Sequence, residues 1–190
     1  MIFDYDVKVI VMLCQFVENS KIKCDNYLEI NELNQNFEIE RIEKKEIESK
    51  SFILNKLYII NKSTKIKKEV YHINFLDWID HSVPNLEKTF EGFMSIFYLI
   101  SIKKEDKPLI VHCSAGVGRT GTFIAIYLLY NQIKDQLKND SDVIKFNVFN
   151  TVRQLKEMRL HLVENNEQYY FIHDFIKYFL EQKLLNKKNI

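Results

Sequence analysis

The stretch Leu-Ile-Val-His-Cys (109–113), followed by Ser-Ala-Gly-Val-Gly and then Arg119, leaves the chain few options. A short run rich in β-branched residues reads as a buried strand, and the segment from about 119 to 138 reads as a helix. The five residues between Cys113 and Arg119 must therefore turn sharply, and Gly116 and Gly118 are expected to supply the positive φ of such a bend. A turn of this kind aims successive backbone N–H groups at one point, and the following helix N-terminus adds about half a positive charge. Ser114, Ala115, Gly116, Val117 and Gly118 are thus a candidate anion nest. Arg119 would add a planar guanidinium that matches two phosphate oxygens at once.

The same surroundings favour thiolate over thiol at Cys113, which makes it a candidate nucleophile toward the phosphorus of a bound phosphate. Thr120 could donate its hydroxyl to the sulfur and help it leave again. Two other readings of the loop are a buried structural cysteine and a nucleotide-binding loop, and the Gly-Lys-Ser/Thr that the second requires is absent.

Composition narrows the rest. The chain has 190 residues, 46% hydrophobic and 28% charged, enough for one domain spanning 1–190 with a substantial core. Its formal net charge of +1 gives no global field for nucleic acid or an anionic membrane. The opening residues carry acids where a secretory signal carries bases, and the apolar runs are too short to span a bilayer, so the expectation is a soluble cytoplasmic protein without membrane insertion. The three cysteines, Cys14, Cys24 and Cys113, have no C-x-x-C spacing, which argues against a disulfide framework and a structural zinc. No metal and no cofactor is expected.

Along the chain, residues 7–13 form a continuous apolar run, the pattern of a central strand buried on both faces. Residues 16–50 are polar and weakly periodic, read as loop with edge strands. Two further strands are expected at 51–60 and 69–78, joined by a lysine-rich hairpin tip. Leu86, Phe90, Phe93, Phe97 and Ile100 recur at helical spacing after Pro84 and Asn85. Helices are expected at about 119–138, 142–160 and 166–185, with Asn165 and Gln168 as a capping box for the last. Strands first and helices mostly later indicate an α+β fold.

The string His-Cys-Ser-Ala-Gly-Val-Gly-Arg-Thr-Gly (112–121) resembles the signature loop of the tyrosine-specific, cysteine-dependent protein phosphatases. The resemblance implies a central twisted mixed β-sheet flanked by helices, and hydrolysis of phosphotyrosine in proteins through a phosphocysteine. It extends to Trp-Ile-Asp-His-Ser-Val-Pro (78–84), similar to the family's mobile acid loop, with Trp78 as hinge and Asp80 as general acid and then base. Ile79 and Ser82 depart from the usual proline and glycine, which implies slower or less complete closure. Residues 18–27 resemble a further family segment, implying that Glu18 orients Arg119, Lys23 lies near the acid loop and Tyr27 lies near His112. Residues 152–176 resemble the final helical segment, with Gln168 retained. Glu164 stands where the family has the glutamine that holds the hydrolytic water. A carboxylate there would repel a phosphoryl group unless turned away or neutralised, so slow hydrolysis of the intermediate is expected.

The resemblance begins partway into the family's domain, without counterparts of its opening helices, first strands and aromatic loop. It therefore implies an N-terminally shortened chain, either truncated or completed by a partner or a second copy. The implied partners are phosphotyrosine-containing proteins. Two alternatives stay open: a module that binds phosphotyrosine without turning it over, and a phosphatase of broader specificity, including phosphoinositides.

Overall fold

A computed structural model of the chain describes residues 1–29, 36–47, 49, 51–79, 82–139 and 143–188. The elements are β1 (Val9–Met12), β2 (Val17–Glu18), β3 (Lys21–Ile22), β4 (Phe37–Ile47), β5 (Phe52–Asn61), β6 (Lys67–Phe75), α1 (Leu86–Lys103), β7 (Leu109–His112), α2 (Gly118–Lys138), α3 (Val148–Met158) and α4 (Asn166–Lys188). The fold is α+β. Contacts divide the chain into two units, Met1–Asp80 with Glu87–Ser114, and His81–Leu86 with Ala115–Ile190.

The first unit holds a five-stranded sheet in the order β4-β5-β6-β1-β7. The β4, β5 and β6 strands form an antiparallel meander, while β1 pairs in parallel with both β6 and β7, so the sheet is mixed. Parallel neighbours on both sides explain the unbroken apolar run of β1, whose four residues are all buried. At the opposite edge β4 is largely exposed and carries four glutamates interspersed with one arginine and two lysines, a charge pattern that blunts an open edge.

Register assigns the two sheet faces different work. On one face Phe75 and Trp78 meet Phe93 of α1, with ring centroids 5.1 and 5.8 Å apart. Phe93, Phe97 and Ile100 are all at most 1% exposed, and each such side chain contributes about 1.5–3 kcal/mol of burial. On the other face, Asn55 pairs with His72 across β5 and β6, His72 with Ile10 across β6 and β1, and Met12 with His112 across β1 and β7. Asn55 and His72 thus set polar side chains within an otherwise apolar buried surface.

Several boundaries differ from the sequence expectation. Strand β6 starts at Lys67, so two lysines assigned to the hairpin tip belong to the ladder, and it stops at Phe75 because Leu76 N–H donates instead to Ser51 O at 2.8 Å. The tip itself is closed by Asn61, whose side-chain oxygen accepts from the Ser63 and Thr64 N–H groups at 3.0 Å. Helix α3 begins at Val148 rather than 142, because Asn147 caps it by accepting from Asn150 N–H at 2.9 Å. The early part of that prediction, residue 142, lies outside the described residues.

The second unit consists chiefly of α2, α3 and α4. Phe123, Ile126, Leu129 and Ile133 of α2, Val152 and Leu155 of α3, and Ile172, Phe175 and Ile176 of α4 form its core. Among the described residues, no helix is long and apolar enough to cross a membrane, and no group of three or more His, Cys, Asp or Glu could hold a metal ion.

Candidate active site

Cys113 follows the last residue of β7, where parallel pairing with β1 fixes the strand end: Leu13 N–H donates to His112 O at 2.8 Å. Cys113 keeps 6% of its surface exposed, against 1% for Cys14. Just before it, His112 Nδ1 lies 3.0 Å from the Cys113 carbonyl oxygen, and its Nε2 lies 2.7 Å from Tyr27 Oη. The same phenol oxygen lies 2.7 Å from His72 Nε2. Burial holds both imidazoles below the usual histidine range, His72 as far as about 3 through burial first and then the neighbouring His112 and Arg41. It also pushes the Tyr27 phenol up.

Exposure falls steadily along the loop, which passes from Ser114, the last residue of the first unit, into the second unit. Ser114 and Ala115 are exposed, Gly116 and Val117 half-buried, and Gly118, Arg119 and Thr120 buried, Arg119 at 2%. Gly116 has φ +69°, the left-handed conformation the bend was expected to need. Val117 occupies the N-cap of α2 and supplies no side-chain cap. Arg159, a residue that sequence reasoning did not single out, donates from Nη2 to Ala115 O at 3.1 Å.

Gly118 corrects the sequence reading. It is the first residue of α2, and Gly116 is the loop glycine with positive φ. What Gly118 provides is space: a Cβ there would stand 2.8 Å from Glu164 Oε2 and 2.9 Å from Gln168 Nε2. Glu164 and Gln168 are held to each other as well, since Glu164 N–H donates to Gln168 Oε1 at 2.9 Å. Asn165 accepts from Gln168 N–H at 2.9 Å, as the expected capping box requires, and the Gln168 side chain also accepts from Glu164 N–H.

The turn carrying Glu164 is strained and tightly attached. His161 and Val163 have φ +69° and +61°, and for a β-branched residue that conformation costs about 1–2 kcal/mol. Val163 N–H donates to Val117 O at 3.4 Å, the carbonyl that also accepts from Gly121 N–H at 2.9 Å. A Cβ on Gly121 would lie 2.5 Å from the Val163 nitrogen, so only glycine permits this approach of helix and turn.

The remaining predicted residues lie in the first unit or outside the described residues. Trp78 is 2% exposed while its neighbour Ile79 is 71% exposed, so the chain leaves the core between them. Trp78 and Glu18 both line a cavity of about 200 Å³, and Glu18 Oε1 accepts from Gln15 N–H at 3.0 Å. Lys23 N–H donates to Phe16 O at 2.8 Å. Asp80 lies outside the described residues. His72 was missed because a histidine in an alternating strand looks like any half-buried position. Arg159 was missed because one arginine in a charged segment carries no local signal.

A family model for the protein-tyrosine phosphatase matches residues 1–178, and the chain belongs to that family. Among curated relatives, tyrosine-protein phosphatase non-receptor type 20 of Rattus norvegicus is 32% identical over 190 residues, covering 97% of this chain and 42% of that protein. Tyrosine-protein phosphatase non-receptor type 12 of Homo sapiens is 30% identical over 190 residues, covering 97% of this chain and 23% of that protein. The chain therefore spans less than half the length of these relatives. A solved structure described as PTPN18 in complex with HER2-pY1196 phosphor-peptides is similar in fold, with a TM-score of 0.78 at 24% identity over 93% of this chain and 59% of that one.

Proposed function

We propose that residues 1–190 act as one protein-tyrosine phosphatase domain that hydrolyses phosphotyrosine in proteins through a phosphocysteine. The observation that carries this reading is the placement of Cys113: its carbonyl is held by His112, and the chain then bends through left-handed Gly116 into an N-terminus of α2 without a side-chain cap.

In the proposed reaction, the main-chain amides of 114–119 and the Arg119 guanidinium take the phosphate oxygens. Cys113 sulfur attacks phosphorus in line, and the bond to the phenol oxygen breaks. Asp80 protonates that oxygen, because a phenolate is a poor leaving group at neutral pH. In the second step Asp80 takes a proton from water, the water oxygen bonds to phosphorus, and the sulfur leaves, assisted by the Thr120 hydroxyl. Gln168 and Glu164 are assigned to this water-handling step, with Glu18, Lys23 and Trp78 supporting the arginine and the acid loop. No metal or cofactor takes part in this scheme, and the substrates are phosphotyrosine-containing proteins.

Phosphate release from a phosphotyrosine and a phosphoserine peptide tests this with three proteins. The wild type should release phosphate from the first peptide only, Cys113→Ser from neither, and Asp80→Ala about a hundred- to ten-thousandfold more slowly than wild type. Equal release by all three would sink the enzyme reading, and peptide binding without release by any would leave a binding module. A burst of phenol followed by a slow steady rate, relieved in Glu164→Gln, is the expected mark of Glu164. A linear time course unchanged in that variant would remove its role.

A further inference from the structure

A carbonyl oxygen can only accept a hydrogen bond, so the contact between His112 Nδ1 and the Cys113 carbonyl oxygen requires the proton of His112 on Nδ1. Burial keeps the ring neutral, which leaves Nε2 as a bare lone pair facing Tyr27 Oη at 2.7 Å. The phenol has one hydrogen, and it must point at that nitrogen. The other contact within its reach, Met12 Sδ at 3.7 Å, is a weak thioether acceptor. Tyr27 oxygen is then an acceptor toward His72, 2.7 Å away, so the hydrogen between them belongs to His72 Nε2. A neutral His72 with its hydrogen on Nε2 has a bare Nδ1, and the group opposite, at 3.4 Å, is Asn55 Nδ2, a donor. The Nδ1 proton of His112 is fixed by the Cys113 carbonyl whichever way the Asn55 amide is oriented.

The placement is a product of strand register. Asn55 and His72 are partners across β5 and β6, and His72 and His112 both flank β1. Asn55 is 3% and His72 0% exposed, so water does not compete for these bonds. We infer that Asn55 and His72 are positioning residues: with Tyr27 and His112 they form a one-way hydrogen-bond relay that ends on the Cys113 carbonyl and holds the main chain from which that side chain projects. The inference rests on the proposed role of Cys113 for its catalytic meaning, but the relay can be read in the resting protein.

Long-range nitrogen–proton NMR of the imidazoles tells a protonated ring nitrogen from a bare one. At neutral pH the wild-type protein should show His112 protonated on Nδ1 alone and His72 on Nε2 alone. The opposite state at either ring, or two protons on either, overturns the relay. A second test compares His72→Gln, whose amide nitrogen can replace the Nε2 donor, with His72→Leu, which cannot donate. Alkylation of Cys113 by iodoacetamide, followed by the mass of its peptide, and kcat/KM on a phosphotyrosine peptide are both read. His72→Leu should slow both by about three- to tenfold, the range of one neutral hydrogen bond, with His72→Gln within about twofold of wild type. Equal losses in the two variants, or none in His72→Leu, overturn the inference. If alkylation follows the expected order while the wild type releases no phosphate, the relay stands and the phosphatase reading falls.

Discussion

The two halves of the Cys113–Arg119 loop are supported in opposite ways. On the strand side, the carbonyl of Cys113 is held by a neutral set of side chains, half-buried His112 and Tyr27 and buried His72, at distances of 2.7–3.0 Å. On the helix side, the carbonyl of Ala115 is held by Arg159, an exposed cation, and Gly118 is crowded by the carboxylate of Glu164. A buried neutral network is insensitive to salt but must keep its rings unprotonated; an exposed charged one is screened by salt but tolerates a wide pH range. The difference teaches that one loop can be fixed at its strand end, where the proposed nucleophile emerges, and adjustable at its helix end, where the proposed substrate's charge would arrive.

Acid should separate the two supports most strongly. His72 titrates at about 3 in the folded chain, below the usual value near 6.5, so the unfolded chain binds the extra proton first. Its contribution to stability is complete above about pH 6.5 and is lost as pH falls from there toward about 3, at up to about 1.4 kcal/mol per pH unit for one ring. His112 is shifted the same way. Urea melts between pH 7 and pH 4 should show a slope that is reduced in His72→Gln. An identical slope in that variant would break the comparison on the strand side.

Next in size is Gly121→Ala, which sets a methyl against the backbone of Leu162 and Val163. A loss of about 1–3 kcal/mol in denaturant melts is expected, together with a changed turnover because Glu164 moves with the turn. Unchanged stability would mean the turn yields freely and is no fixed support. Arg159→Ala should lower kcat/KM by about two- to fivefold, the scale of an exposed charged contact. That deficit should shrink as salt rises, whereas a deficit in His72→Leu should not, and equal salt responses would erase the distinction. The smallest effect is expected at His161, exposed with φ +69°. His161→Gly should stabilise by a few tenths to about 1 kcal/mol, relief of left-handed strain outweighing the added freedom of the unfolded chain. A loss in melting temperature instead would assign the histidine a contact of its own.

Much of the first unit was legible because its signals are local. An unbroken apolar β1, the alternation in β6 and the spacing of Phe90, Phe93 and Phe97 each follow from one element's burial. The cysteine loop was legible for the same reason, since strand, bend and helix are contiguous. What could not be read was set by register and by caps: Asn55 opposite His72, the start of α3 at Asn147, and the turn to Gln168 by way of Glu164. The role of Gly118 was misread because a glycine required for space and one required for φ look alike in a sequence.

The parallel pairing of β7 with β1 joins Val9 to Leu109, a hundred positions on. The β4–β5–β6 meander, by contrast, closes through neighbouring segments, and loop-closure entropy favours such short returns. During synthesis and refolding, the β1–β7 rung that leads into Cys113 is thus expected to form last in its sheet, so a half-made chain should have no assembled thiol with which to react. Pulse-labelled hydrogen exchange should find the amides of β7 protected after those of β5 and β6; simultaneous protection would contradict that order.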